Sequence, residues 1–234
     1  MRKEKITIDN IPAMLWGEPK RTVFIAVHGN MSDKEDTVIE MLAEKVTKSC
    51  QVLSFDLPEH GDRKSDTSYL CNPQNCISDL KKVMEYAKLE YNDINLWACS
   101  MGAYFSMLAY KDEELEDCLF LSPIVNMKVI IDDMMKKASV TEEMLKEKRE
   151  IKTDFGPTLY WDYYEFVKNN PVPEWETPSF IMYGKNDALQ SEEIIKKFCE
   201  EHNGFLTEYE EGEHFFHTDD QLEFYESWLY EILT

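Results

Sequence analysis

Residues 96–104 read LWACSMGAY and place Ser100 where an apolar, strand-like segment meets the start of a helical one. Ala98 and Gly102 lie two positions before and after the serine, and a strand-to-helix turn this tight has room only for small side chains there. The pattern fits G-x-S-x-G with alanine in place of the first glycine. Such a turn lifts the serine hydroxyl above the carboxyl edge of a parallel sheet, at a helix N-terminus that favours developing negative charge.

Strands and helices alternate on both sides of this turn. The strand-like runs are mostly continuous and apolar, as expected for strands covered on both faces, and the segments between them carry apolar residues at helical spacing. The sequence therefore predicts one α/β domain, residues 1–234, with a mostly parallel central sheet and helices on both faces. The predicted strands, of which the first two form a hairpin, are KITIDN (5–10), AMLWGE (13–18), TVFIAVHG (22–29), QVLSFDLP (51–58), INLWAC (94–99), CLFLSP (118–123), SFIMYG (179–184) and FLTEYE (205–210).

Charge and composition exclude several classes of partner. The chain has 46 acidic and 25 basic residues and a net charge of −21, which repels phosphate backbones and anionic lipids. We expect no nucleic-acid partner and no membrane partner. No apolar run is long enough for a membrane span or follows the basic N-terminus as in a signal peptide, so we expect a cytoplasmic protein.

Metal and cofactor motifs are missing from the sequence. The histidines lack metal-binding spacing, and the glycines form neither G-x-G-x-x-G nor a phosphate-binding loop, so we expect no metal and no cofactor. Cys71 and Cys76 are close enough to raise the question of a disulfide or metal site. Without further His or Cys ligands nearby in the sequence, we interpret them as packing residues.

A serine hydroxyl needs a general base to attack at neutral pH, and the base needs a group that orients it. Asp187 follows the strand SFIMYG and His214 follows FLTEYE, so both lie after strands, in the chain order serine, aspartate, histidine. Alternative interpretations are a turn aspartate for Asp187 and a surface histidine for His214. His217, near the cap of the last helix, is the rival base.

Three further histidines have predicted structural roles. We expect His28 to brace the loop after its strand, His60 to lie in a loop near the mouth of the site, and His202 to end a helix.

Four segments together resemble the α/β-hydrolase superfamily, from about Thr22 to the C-terminus apart from one insertion. The resemblance implies that Ser100 is the nucleophile, His214 the general base and later acid, and Asp187 the carboxylate that orients the imidazole. It also implies an oxyanion hole formed by the backbone N–H groups of Met101 and Asn30. The four segments are VFIAVHGN (23–30), VLSFDLPEHGDR (52–63), WACSMGAY (97–104) and YGKNDALQ…GEHFF (183–190 and 212–216).

About fifty residues separate CLFLSP from SFIMYG, more than one crossover needs. We predict that residues 124–176 form a helical cap insertion after the sixth strand, because members of the superfamily carry a cap there. The cap is expected to cover the site and supply an apolar acyl pocket. Packing of an aromatic cluster at helical spacing is the alternative for its aromatic residues. The candidate pocket residues are Met31, Tyr160, Trp161, Tyr163 and Tyr164.

These observations predict a serine hydrolase that cleaves a carboxylic ester, or a related thioester or amide, through an acyl-enzyme. The expected partner is a small-molecule acyl substrate. A serine nucleophile argues against the branches of the superfamily that use aspartate, such as dehalogenases and epoxide hydrolases. The alternatives are a non-catalytic ligand-binding or scaffold protein of the same fold, and an acyltransferase.

Overall fold

The fold is described here for residues 1–233, from a computed structural model of the chain. These residues contain ten strands, eight of which form one sheet while two form a separate hairpin. The strands are β1 (Lys3–Ile8), β2 (Ile11–Trp16), β3 (Thr22–Val27), β4 (Gln51–Phe55), β5 (Asp93–Cys99), β6 (Cys118–Leu121), β7 (Glu150–Lys152), β8 (Thr158–Tyr160), β9 (Ser179–Gly184) and β10 (Gly204–Tyr209).

Strand order in the large sheet is β1-β2-β4-β3-β5-β6-β9-β10, and the six strands from β4 to β10 run parallel. The hairpin β1–β2 joins one edge in antiparallel register, as the sequence predicted. Parallel neighbours bring their carboxyl ends to one edge of the sheet. The loops that carry Ser100, Asp187 and His214 follow β5, β9 and β10, so all three leave the sheet at this edge.

Eight α-helices cover both faces of the sheet within the described residues. Buried side chains of α1 and α8 pack on one face, and those of α2 to α7 pack on the other. None of these helices is both long and apolar enough to cross a membrane. The helices are α1 (Thr37–Val46), α2 (Pro73–Glu90), α3 (Met101–Ala109), α4 (Met127–Lys137), α5 (Glu142–Lys148), α6 (Trp161–Asn169), α7 (Glu192–Glu201) and α8 (Asp219–Leu233).

Strand β3 shows why the interior is apolar on both sides. Successive side chains of a strand point to opposite faces, so a strand covered on both faces has no polar side. Val23, Ile25 and Val27 lie in the core under α2 and α3, whereas Phe24 and Ala26 lie in the core under α1 and α8. This explains the continuous apolar run that predicted a central strand.

The segment between β6 and β9 is more varied than the predicted helical insertion. Residues 124–176 contain α4, α5 and α6, but also the antiparallel hairpin of β7 and β8, two strands of three residues each. The hairpin was not predicted, because strands this short give no recognisable period of apolar residues. Helix α4 packs against α6 and β8, and α6 in turn packs against α2.

Candidate active site

Ser100 lies in the turn between β5 and α3 and has the backbone conformation expected of a strained turn. Its φ is +52° and its ψ is −124°, values that residues other than glycine adopt only at a cost in free energy. The turn is packed tightly on both sides. A Cβ atom added at Gly102 would lie 2.5 Å from the backbone oxygen of His28, and one added at Gly29 would lie 3.0 Å from Ser100 Cβ.

Ser100, His214 and Asp187 form a continuous line of hydrogen bonds. Ser100 Oγ lies 2.8 Å from His214 Nε2, and His214 Nδ1 lies 2.6 Å from Asp187 Oδ2. Nδ1 carries the proton toward the carboxylate, which leaves Nε2 as the acceptor for the serine hydroxyl. The structure thus brings together the three side chains that sequence reasoning selected, in an arrangement that can take the hydroxyl proton.

The loops after β9 and β10 contact each other and bring Asp187 close to His214. Asn186 donates from its backbone N–H to Gly212 O at 2.8 Å, and a Cβ atom at Gly184 would lie 2.4 Å from the Gly212 carbonyl carbon. Glycine at these two positions lets the backbones approach. The side chains that the loops carry therefore meet across two neighbouring parallel strands.

The carboxylate of Asp187 is fully buried and its second oxygen is also satisfied. Asp187 Oδ1 accepts hydrogen bonds from the backbone N–H groups of Leu189 at 2.7 Å and Gln190 at 3.1 Å. Backbone donors of this kind fix the plane of the carboxylate. The other oxygen, Oδ2, is the one that faces His214 Nδ1.

His28 braces the loop after β3, as predicted. Its Nδ1 donates to Gly29 O at 2.7 Å, while Leu57 N donates to Nε2 at 3.0 Å. Burial lowers the pKa of His28 to about 4, so the ring is neutral at physiological pH. The His28 ring therefore fixes the position of Gly29, and of Asn30 after it, beside the serine turn.

Asn30 and Met101 line the same cavity as Ser100. Met101 is the first residue of α3, and the first N–H groups of a helix have no partner within the helix. The Asn30 side chain lies against His60, with Oδ1 3.3 Å from His60 Nε2. His60 also lines the cavity.

The cavity has a volume of about 730 Å³, which is in the usual range for a small-molecule site. Ser100 lies in its wall, and about half of the other lining residues come from the segment between β6 and β9. The side chains on that half of the wall are mostly apolar. The lining residues from this segment are Ile124, Met127, Ile130, Ile131, Met134, Pro157, Thr158, Leu159, Tyr160 and Tyr163.

Two of the predicted pocket residues lie elsewhere. Met31 and Tyr160 line the cavity as expected, but Trp161 and Tyr164 do not. The rings of Trp161 and Tyr164 pack against each other at 6.0 Å between centroids and are buried in the core. The hydroxyl of Tyr164 reaches Glu142 on α5, at 3.3 Å. The alternative interpretation, packing at helical spacing, holds for these two residues.

The remaining histidines stay outside the line of hydrogen bonds. His217 is exposed and its Nδ1 lies 2.8 Å from Phe215 O, so the histidine that contacts Ser100 is His214 and not its rival. His202 ends α7, as predicted, and accepts a hydrogen bond from Trp175 N. Residues 1–233 contain no group of three or more His, Cys, Asp or Glu side chains that could hold a metal ion.

Sequence reasoning missed a buried ion pair that supports the site. Lys34 Nζ lies 2.7 Å from Asp56 Oδ2 and 2.9 Å from Asp62 Oδ2, and both Lys34 and Asp56 are buried. Gly61 makes this possible, since a Cβ atom there would lie 2.1 Å from Asp56 Oδ1. The only sequence signal is the glycine at the end of DLPEHG, residues 56–61, which indicates a close backbone approach.

Comparisons with known proteins identify the fold. No family model matches the chain, and no curated protein does. Many solved structures match over nearly the whole chain. Est1E from Butyrivibrio proteoclasticus, solved with ferulic acid bound, has a TM-score of 0.76 and 18% identity and covers 98% of both chains.

Two further structures support the same assignment. Alpha/beta hydrolase domain-containing protein 10 from mouse has a TM-score of 0.77 at 10% identity, covering 100% of this chain and 98% of that chain. The Pyrococcus furiosus esterase Pf2001 has a TM-score of 0.68 at 22% identity, covering 99% and 90%. The α/β-hydrolase fold that the sequence predicted is thus confirmed.

Proposed function

We propose that this chain, which has the α/β-hydrolase fold, is a serine hydrolase that cleaves carboxylic esters through an acyl-enzyme. The observation that carries the proposal is the line from Ser100 through His214 to the buried Asp187, at 2.8 Å and 2.6 Å. A strained turn, an imidazole nitrogen beside the hydroxyl and a fixed carboxylate at these distances are what an activated serine needs.

In the proposed first step, Ser100 Oγ attacks the acyl carbon while His214 Nε2 takes the hydroxyl proton. Asp187 keeps the proton of Nδ1 in place and stabilises the charged imidazole. The new C–O bond forms as the carbonyl π electrons move to oxygen. His214 then gives its proton to the leaving alcohol, and water releases the acid by the same sequence.

The oxyanion is assigned to the backbone N–H groups of Met101 and Asn30. Met101 N belongs to the open first turn of α3, and Asn30 follows the glycine that packs against Ser100 Cβ. Two N–H donors on opposite sides of the serine are the usual composition of such a hole in this fold. Met31 and Tyr160, which line the cavity beside it, are proposed to shape the acyl pocket.

Residues 124–176 are proposed to act as a cap over this site, within a single domain. Support comes from the cavity, in which the side chains opposite Ser100 are largely methionine, isoleucine and leucine from this segment. Such a wall suits an uncharged acyl group. Ferulic acid, bound in the Est1E structure, is an aromatic carboxylic acid. We therefore include aromatic acyl esters among the proposed substrates.

The test is hydrolysis of p-nitrophenyl esters of rising acyl length, together with a feruloyl ester, by wild type and Ser100→Ala. We expect kcat of Ser100→Ala to be roughly 10⁴- to 10⁶-fold lower than kcat of the wild type. Ser106→Ala is the matched control, because Ser106 lies on the same helix and donates to Gly102 O.

Three other results would redirect the proposal. A folded wild type without activity that still binds the esters would favour the ligand-binding alternative. Faster turnover when an added alcohol accepts the acyl group would favour an acyltransferase. Equal activity of Ser100→Ala and wild type would contradict a serine nucleophile.

A further inference from the structure

Cys71 lies in the wall of the cavity and against the buried Cys76, and the proposed hydrolysis uses neither cysteine. Their sulfur atoms are 3.7 Å apart. Asn72 caps α2, so Cys71 immediately precedes the cap and Cys76 is the fourth residue of the helix. Side chains at these two positions meet across the first turn of a helix. The helix start itself therefore holds the two thiols in contact.

The two thiols differ in exposure. Cys76 is completely buried, whereas Cys71 is partly exposed and lines the cavity. A small reactant that enters the cavity reaches the Cys71 sulfur first, and Cys76 stands directly behind it. Cys71 is also fixed through its backbone, because its N–H donates to Glu59 Oε2 at 2.6 Å.

The surroundings favour a thiolate on Cys71. A hydrogen bond from the Cys76 thiol lowers the pKa of Cys71; burial opposes the shift, and the His60 imidazole adds to it. Burial raises the pKa of Cys76, and the neighbouring Cys71 raises it further. When the pair loses one proton, the negative charge is therefore on the Cys71 sulfur. The other charged or titratable groups that face it are Glu59, Arg63, Asp79 and Tyr163.

His60 is placed to balance that charge. Its Nδ1 lies 2.7 Å from Pro58 O and its Nε2 lies 3.3 Å from Asn30 Oδ1, so both ring nitrogens face hydrogen-bond acceptors. Burial disfavours the charged ring, but the neighbouring Cys71 side chain and Pro58 O outweigh it and raise the pKa of His60. A cysteine with a lowered pKa beside an imidazole with a raised pKa is the usual setting of a reactive thiol.

We propose that Cys71 and Cys76 form a peroxide-reactive dithiol site that closes to a disulfide. The Cys71 thiolate attacks the terminal oxygen of a hydroperoxide, so that an S–O bond forms and the O–O bond breaks. Cys71 becomes a sulfenic acid and the peroxide is reduced to an alkoxide, or to hydroxide from hydrogen peroxide, which takes a proton from solvent. Cys76 sulfur then attacks Cys71 sulfur. The S–S bond forms, and the hydroxyl leaves as water with the Cys76 proton.

Cys71 and Cys76 lie in contact with each other, and the pKa of Cys71 also differs from those of Cys99, Cys118 and Cys199. The two sulfurs are now 3.7 Å apart. Only a small movement is needed to bring them to the S–S bond length of about 2.05 Å. Burial raises the pKa of Cys99, Cys118 and Cys199, which keeps these thiols protonated and slow to react. Oxidation should therefore begin at Cys71.

The test is peptide mass spectrometry of reduced protein treated with a stoichiometric amount of hydrogen peroxide. Remaining thiols are blocked with iodoacetamide before digestion with trypsin. Cleavage after Lys64 and Lys81 leaves both cysteines in one peptide, residues 65–81. We expect this peptide to lose two hydrogens and to carry no alkyl group, and to regain both alkylated thiols after treatment with dithiothreitol.

Variants separate the two roles. Cys76→Ser should stop at the sulfenic acid, which dimedone traps on Cys71, and Cys71→Ser should leave Cys76 unoxidised. Ser100→Ala and Cys50→Ser should form the disulfide at the wild-type rate, since neither residue takes part; the result is thus independent of the proposed hydrolysis. Two alkylated cysteines in the peroxide-treated wild-type peptide, or a Cys71 sulfinic acid without the disulfide, would overturn the proposal.

Discussion

The side-chain oxygen of Gln190 accepts a hydrogen bond from the backbone N–H of Asn126 at 2.8 Å, which ties the loop of Asp187 to the chain after β6. The same oxygen accepts from Val125 N at 3.1 Å, while the backbone N–H of Gln190 donates to Asp187. Gln190 is completely buried. One side chain thus connects the carboxylate of the site with the start of the segment that lines the cavity.

Replacing Gln190 by alanine should loosen this connection. The N–H groups of Val125 and Asn126 would lose their acceptor in a buried place, and we expect the free energy of unfolding to fall by about 2 to 3 kcal/mol. Urea denaturation measures the change. Asn169→Ala, at an exposed position on α6, is the control and should cost less than about 1 kcal/mol. Equal losses in the two variants would contradict a special role for Gln190.

Lys34→Met should be strongly destabilising. The substitution leaves Asp56 buried with its charge unpaired, which costs about 3 to 5 kcal/mol. Lys168→Met removes the exposed pair with Glu142 and should change the stability little, because solvent screens this pair. Denaturant midpoints of the two variants give the comparison. A small loss for Lys34→Met would show that the buried pair contributes little.

His28 should make the protein less stable as the pH falls below about 6.5. The folded state holds its pKa at about 4, whereas the unfolded chain binds a proton near its ordinary value of 6.5. Between these values only the unfolded state is protonated, so the free energy of unfolding decreases by about 1.4 kcal/mol per pH unit, roughly 3 kcal/mol in all. Below pH 4 this contribution stops changing.

The measurement is the free energy of unfolding from pH 7 to pH 4 for wild type and His28→Gln. Because the variant lacks the titrating ring, its free energy of unfolding should fall less steeply with decreasing pH, by about 1.4 kcal/mol per pH unit. His217→Gln, which changes an exposed histidine, is the control. Parallel curves for wild type and His28→Gln would rule out the buried neutral ring as the cause.

Met134→Trp should narrow the acyl preference if the cavity receives the acyl group. Met134 lies on α4 and lines the cavity, so a larger ring there removes space for long acyl chains. We expect kcat/KM for an octanoyl ester to fall by roughly 10- to 100-fold with little change for an acetyl ester. Met144→Trp on α5, a residue outside the cavity lining, should leave both unchanged. An equal fall in kcat/KM for both esters would argue against an acyl chain that binds beside Met134.

Much of this structure could be predicted from local sequence. The strand pattern follows from runs such as TVFIAVHG, whose lack of polar residues indicates cover on both faces. Ser100 could be located because the turn demands small neighbours, and Asp187 and His214 because they follow the correct strands. These features depend on short-range sterics and on chain order, which the sequence states directly.

The features that could not be predicted depend on how helices and strands pack against one another. The spacing of Trp161, Tyr163 and Tyr164 indicates a helical segment, with Tyr160 directly before it, but not which side of the helix faces the cavity. Tyr160 and Tyr163 face it, while Trp161 and Tyr164 face the core. That rotation is set by contacts with α4 and α5, which are distant in sequence. The buried pair of Lys34 and Asp56 was missed because lysine in a loop ordinarily indicates solvent exposure.

Labelling with a fluorophosphonate reports directly on the nucleophile, because the probe reacts with a serine only when a base activates it. We expect an adduct on Ser100 in the wild type, no adduct in Ser100→Ala, and strongly slowed labelling in His214→Ala and Asp187→Asn. Fragmentation of the tryptic peptide of residues 89–111 distinguishes Ser100 from Ser106. A folded wild type that stays unlabelled, or is labelled at a serine other than Ser100, would contradict the account.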